Sequence, residues 1–304
     1  MRRLLASELL RFRSRRLVAV LLGTALGGSG VGAVIAAWQS TPPTAEVRAA
    51  ARTQAEQEFR RCMNTDFGEE FEGSLEDLCR ADAGDPTHYM PSHLALVDLP
   101  EILEGASSLT SILGLVIGAS FVAASWQTGT ISTIFSWEPR RLRWFGARIL
   151  VLAAAVFVMI VIIVVFLSVG LALAAMLRGS TIGVGSQWMS DVSTTALRVS
   201  LAAAISAVIG GAVAAIGRHT AAALGVVFVW TAVLEGLVRG LRPLWTPWLL
   251  GDNLVTFLSW RTMEFQVSAS ESFTITPGRA IFVILGYMAV VMSLGFISVR
   301  RDVQ

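Results

Sequence analysis

Six apolar stretches, residues 17–39, 105–126, 149–177, 199–217, 221–238 and 280–299, alternate with polar segments along the 304-residue chain. Each approaches or exceeds the roughly 20 residues a helix needs to cross a bilayer core of about 30 Å. Inside hydrocarbon the backbone must satisfy its own hydrogen bonds, so runs of this length fold as helices rather than as open sheet. The expected fold is an all-α integral membrane protein with six transmembrane helices. The run 17–39 is longer than a signal-peptide core and has no convincing cleavage site, so it is expected to remain as the first span. The run 149–177 is about 43 Å long as a helix and must tilt or project beyond the hydrocarbon. Composition agrees: 54% hydrophobic and 15% charged residues, with a mean hydropathy of +0.64, are too apolar for an ordinary soluble domain.

The arginines orient the spans. Thirteen of the 24 fall in the short segments 1–16, 127–148, the turn Arg218-His219-Thr220 and the tail 300–304, and 11 in the much longer segments 40–104, 178–198 and 239–279. The positive-inside rule then places both termini in the cytoplasm of a bacterial cell membrane. The chain has no lysine, and with its excess of Ala, Gly and Val it resembles the products of high-GC Gram-positive genomes. Lacking lysine, it cannot build a P-loop, so it carries no standard ATPase site. A net charge of +2 gives no electrostatic footprint for nucleic acid. The three histidines stand in no Gly-x-Ser-x-Gly or His-Glu-x-x-His setting, so no enzyme activity is expected of this chain. An intramembrane hydrolase would need polar groups meeting within spans that are almost wholly apolar.

Residues 1–16 hold six arginines and one acid, with Leu5, Leu9 and Phe12 at helical spacing. Such a helix can lie on the inner membrane surface with its arginines near anionic lipid, at roughly 1 kcal/mol each. A plain topogenic flank accounts for the arginines equally well. The first span carries Gly23, Gly27, Gly28, Gly30 and Gly32, spacing that lets a second helix approach closely. Small residues also mark the fourth span, at Ala203, Ser206, Gly210, Gly211 and Ala214. Gln39 to Glu104 has 14 acids against five arginines and reads as extracellular, with an exposed helix over 45–61. It contains the only cysteines, Cys62 and Cys79, which in an oxidising compartment are expected to pair, at a gain of roughly 3 kcal/mol, two unpaired thiols being the alternative. His88, His93 and Asp85 match no strong metal template, and no metal is expected. Glu235 precedes Arg239 by four residues near the end of the fifth span, a favourable helical ion pair. An acid beside the membrane is also a candidate for a transport role.

The most informative polar break runs from Trp126 to Arg148. Gly129 can turn the chain where a span ends, Thr130 can cap the next helix, and Ile131, Ile134 and Phe135 fall on one face of a short helix that Pro139 stops. At about 12 Å it cannot cross the bilayer. Arg140, Arg141, Arg143 and Arg148 place it in the cytoplasm. The Gly-Thr pair, the short apolar helix, then Glu138-Pro139-Arg140-Arg141 and a further arginine resemble the loop between the second and third spans of type 2 ATP-binding-cassette (ABC) exporter permeases. Gln127 stands where that family commonly has a charged residue.

The resemblance implies that this loop is a coupling helix docking on a separate ATPase, with Gly129, Thr130, Pro139 and Arg141 as matching positions and Glu138 and Arg140 as helpers. It also implies an interfacial elbow helix at 1–16 and short re-entrant helices between the fifth and sixth spans, where 239–279 holds two short apolar pieces. The implied machine has two permease chains, identical or related, and two ATPase subunits that bind ATP and Mg. It would move a hydrophobic or amphipathic compound such as a drug, a peptide antibiotic or a lipid out of the cell. A membrane scaffold or sensor is the alternative; it fits the acidic 40–104 segment but gives the 127–148 loop no purpose.

Overall fold

The computed structural model describes residues 2–42, 44–65, 74–82, 84–137, 140–266 and 272–301. The chain opens with α1 (Arg2–Arg13), about 18 Å long, which ends before the first span begins. Next come α2 (Arg16–Gln39), α3 (Ala45–Met63), α4 (Leu75–Asp82) and α5 (Leu99–Gln127). A seven-residue α6 (Ile131–Trp137) separates α5 from α7 (Arg141–Arg178), and α8 (Ser186–Gly217) follows. The fifth span is α9 (Thr220–Phe228), a π-helical turn at Val229–Leu234 and α10 (Glu235–Leu241). After a 3-10 turn at Pro243–Trp248 come α11 (Leu250–Ser259), the strands β1 (Met263–Gln266) and β2 (Ser272–Ile275), and α12 (Pro277–Arg301). Among the described residues, six helices are long and apolar enough to cross a bilayer, so the chain is a multi-pass membrane protein of almost wholly helical fold.

Several boundaries differ from those of the apolar runs. The third span begins at Arg141 rather than at residue 149, and the fourth at Ser186 rather than 199, because apolarity marks the hydrocarbon while a helix's own hydrogen bonds carry it on beyond. The segment 239–279 holds a hairpin beside the expected short helix. In it Met263, Phe265, Phe273 and Ile275 alternate with polar residues, and Phe265 stacks on its register partner Phe273 at 5.4 Å.

Two compact units divide the chain. In the larger (Met1–Gly27, Pro100–Phe166, Met189–Gln304), the tightest helix contact joins α5 to α8. Gly114 and Gly118, one helical turn apart, lie against the carbonyls of Ala203 and Ala207, and Gly210 lies against that of Leu115, so a β-carbon at any of the three would strike main chain. Side chains built at Gly23, Gly27, Gly28 or Gly32 would instead meet nothing within 4 Å among the described residues. Those four glycines therefore make no close contact with another described helix of this chain, which leaves their face of α2 open to a helix of a second subunit.

In the smaller unit (Gly28–Leu99, Leu167–Trp188), Ala33 makes the close approach of α2 to α7, where a β-carbon at Gly170 would come within 3.0 Å of its own. The ends of the helices are tied by a short extended segment. Leu94 donates to the Ser40 hydroxyl at 2.9 Å, that hydroxyl donates to the Arg178 carbonyl at 2.6 Å, and Ser180 pairs with Leu94 and Leu96. A disulfide joins Cys62 of α3 to Cys79 of α4, with a Cα separation of 5.7 Å and the Cys79 side chain fully buried.

Candidate functional site

The loop between α5 and α7 folds as its residues dictate. Gly129 adopts φ +67, the left-handed conformation that glycine tolerates best, and turns the chain out of α5. The main-chain carbonyl of Thr130 accepts the first helical bond from Ile134 at 3.0 Å. The Thr130 hydroxyl, expected as a cap, reaches back instead: it donates to the Ser125 carbonyl at 3.4 Å and lies 3.1 Å from the Thr128 hydroxyl. Glu138 and Pro139 lie outside the described residues.

The apolar face of α6 turns inward. Phe135 meets Trp144 edge-on at 5.4 Å, Arg141 lies over the Phe135 ring at 5.2 Å, and Trp126 packs on Trp144 at 6.1 Å. Ile131 and Ile134 are half-buried, leaving Ser132, Thr133, Ser136 and the adjacent Arg140 exposed. Arg141 also donates to the Arg300 carbonyl at 3.2 Å, fixing the start of α7 to the end of α12. The surface that α6 presents is thus polar, and the residues singled out for their apolar spacing hold the helix in place.

Beneath this surface lies a buried cluster that apolar periodicity did not reveal. Glu8 of α1 and Arg148 of α7, 0% and 2% exposed, form an ion pair at 3.0 Å. Glu8 also accepts from Arg11 at 2.7 Å and from Trp144 Nε1 at 3.3 Å. Arg148 donates to the Phe121 carbonyl and lies over the rings of Phe121 and Trp144 at 4.4 and 5.2 Å. Arg15 donates to the Ser120 carbonyl at 2.9 Å, and Phe12 packs edge-on against Phe121 at 5.4 Å. One carboxylate therefore joins α1, the end of α5, the start of α7 and, through Trp144, α6. The sequence held a partial signal: Glu8, the only acid among six arginines, shares a helical stripe with Leu5 and Phe12, and Phe12 is buried with it while Leu9 is exposed.

A second buried acid does not make its expected pair. Glu235, 2% exposed, accepts from the main-chain nitrogens of Leu250 at 2.9 Å and Gly251 at 3.1 Å, placing a carboxylate on the first turn of α11. A β-carbon at Gly251 would come within 2.8 Å of that carboxylate. Arg239 pairs with Asp252 at 3.0 Å instead. The proposed Glu235–Arg239 ion pair is replaced because four unpaired N–H groups at a helix start compete for the carboxylate, and α11 carries them to it. Buried Asn253 donates to the carbonyls of Pro247 and Leu249, and Tyr287 donates to that of Trp248 at 3.1 Å, fastening this short helix to α12. Compared with known protein families and with curated proteins, the chain matches no family model and no curated sequence.

Proposed function

We propose that this chain is the membrane-spanning permease subunit of an ATP-driven ABC exporter. In this reading both termini and α6 face the cytoplasm, and two permease chains work with two copies of a separate ATPase. The observation that carries the reading is the build of α6: a short helix between the second and third spans, with a polar face outward and an aromatic face locked on Trp144. Such a helix transmits force only if it cannot shift on its own. The Phe135–Trp144 contact and the Glu8–Arg148 pair support this by making α1, α6 and the adjoining ends of α5 and α7 one body. ATP-driven closure of the ATPase pair would then tilt the spans and open the path between the two permeases outward. ATP and Mg belong to the partner subunit, consistent with a chain that has no lysine.

The exported compound enters from the cytoplasm or the inner leaflet and is hydrophobic or amphipathic, in keeping with spans that carry few polar groups. Membrane vesicles from cells overproducing the chain with its ATPase test this directly. Inside-out vesicles should accumulate a fluorescent amphipathic probe in an ATP-dependent way, and right-side-out vesicles given external probe should not. Accumulation only in right-side-out vesicles, or no ATP dependence in either, would overturn the reading.

A further inference from the structure

An apolar groove of about 880 Å³ runs between α1, the start of α2 and α7. Leu5 and Leu9 form one wall, Val18 and Leu22 the second, and Leu150 to Ile162 the third, with Arg13 the one charged residue lining it. Three features of this groove identify an occupant. The α7 wall from Leu150 to Ile162 rises about 18 Å, close to half of a hydrocarbon core of about 30 Å, so the groove has the depth of one leaflet. Apart from Arg13 its lining is apolar, which suits a chain of methylenes that needs no polar partner.

The charge at its edge is positive and available. Arg11 is taken by Glu8 and Arg15 by the Ser120 carbonyl, whereas Arg13, which lines the groove, is exposed. A second copy of this chain would bring another helix of six arginines and one acid to that edge, like charge against like. An anionic headgroup meets it with opposite charge.

We propose that this groove holds one acyl chain of an anionic phospholipid, with its phosphate at Arg13. Bound there, the lipid fills the space between α1 and α7 and completes the seat of the surface helix. The site requires only that the chain spans a membrane, and it does not depend on the transport reading.

Full-length protein reconstituted in nanodiscs of equimolar phosphatidylglycerol and phosphatidylethanolamine, then released for native mass spectrometry, tests this. Wild type should retain one phosphatidylglycerol per chain in preference to phosphatidylethanolamine. Arg13→Gln should reduce that preference about fivefold, the effect of one arginine at an anionic surface. Ala154→Trp, which fills the groove from an exposed position, should abolish retention, while Val165→Trp, exposed on α7 outside the groove, should leave it intact. Retention that ignores headgroup, or that survives Ala154→Trp, would overturn the proposal. So would disulfide cross-linking of an Ala154→Cys variant to a second copy, which would assign the groove to a protein partner.

Discussion

Removing Glu8 should unseat far more than one side chain. Its carboxylate, itself 0% exposed, receives Arg148, Arg11 and Trp144 Nε1 at 3.0, 2.7 and 3.3 Å. Two magnitudes compete for the expected cost. Hydrogen bonds between membrane helices average about 0.6 kcal/mol, because chains unfolded within lipid still find partners. Breaking a buried ion pair from one side costs about 3–5 kcal/mol, because the surviving charge is left uncompensated. The second governs here, since Arg148 would keep only the Phe121 carbonyl and two ring faces, and its Nε already lacks a partner. Glu8→Leu should therefore cost about 3 kcal/mol, at the lower end of that range, and Arg148→Met less, because Glu8 then keeps Arg11 at 2.7 Å and Trp144 Nε1. The double variant replaces the pair by apolar side chains of similar bulk and should fall within about 1 kcal/mol of wild type. Reversible detergent denaturation followed by fluorescence of the nine tryptophans, Trp144 among them, gives all four corners of the cycle. A coupling of at least about 2 kcal/mol is expected; costs that add to within about 0.5 kcal/mol would refute a cooperative cluster.

Four further outcomes are expected. Gly118→Val should cost more than about 2 kcal/mol by driving a side chain into the α8 main chain at Ala207, whereas Gly146→Ala, which opens on free space, should change stability by less than about 0.5 kcal/mol in the same denaturation assay. Reduction of Cys62–Cys79, or Cys79→Ser, should weaken the α3–α4 segment by roughly 3 kcal/mol, read as faster proteolysis between Ala45 and Asp82 with the spans unaffected. Glu235→Ala should loosen α11 by about 1–2 kcal/mol, seen as faster amide exchange at Leu250 and Gly251, while Arg239→Ala costs less than about 1 kcal/mol. Equal effects of those two would restore the Glu235–Arg239 pair. Thr133→Trp should block ATPase association and leave the denaturation midpoint in place, whereas Phe135→Ala should lower the midpoint because its ring packs on Trp144.

What the sequence made legible follows the strength of each physical signal. Apolar runs of bilayer length are decisive, and each of the six falls within a long apolar helix, although the helices containing the third and fourth begin well before the runs do. Gly129 was legible because a turn out of a helix favours φ > 0. The pairing of Cys62 with Cys79 was legible because the acidic segment offers no other thiol. Face assignments on short helices were not legible. Spacing grouped Ile131, Ile134 and Phe135, but only the position of Trp144 on the next helix shows that this face looks inward. Partner choice over long separations was equally hidden, as for Glu8 with Arg148 and Glu235 with Gly251. For Glu235 a local partner four residues away looked sufficient until the fold brought a helix start to it. The glycines of α2 mark a face that permits a close contact, but spacing does not say which helix fills it, and at Gly23, Gly27, Gly28 and Gly32 no described helix of this chain does.

The central claim is that α6 docks on an ABC ATPase. A photo-reactive benzoylphenylalanine placed at Thr133, exposed on the outer face of α6, tests it in intact cells of the source organism. Irradiation should capture a single polypeptide that mass spectrometry identifies as an ABC ATPase, and the same probe at Val165, exposed on α7, should capture no ATPase. Capture of no protein at Thr133, or labelling of a Thr133→Cys variant by a membrane-impermeant maleimide added outside the cell, would contradict the account.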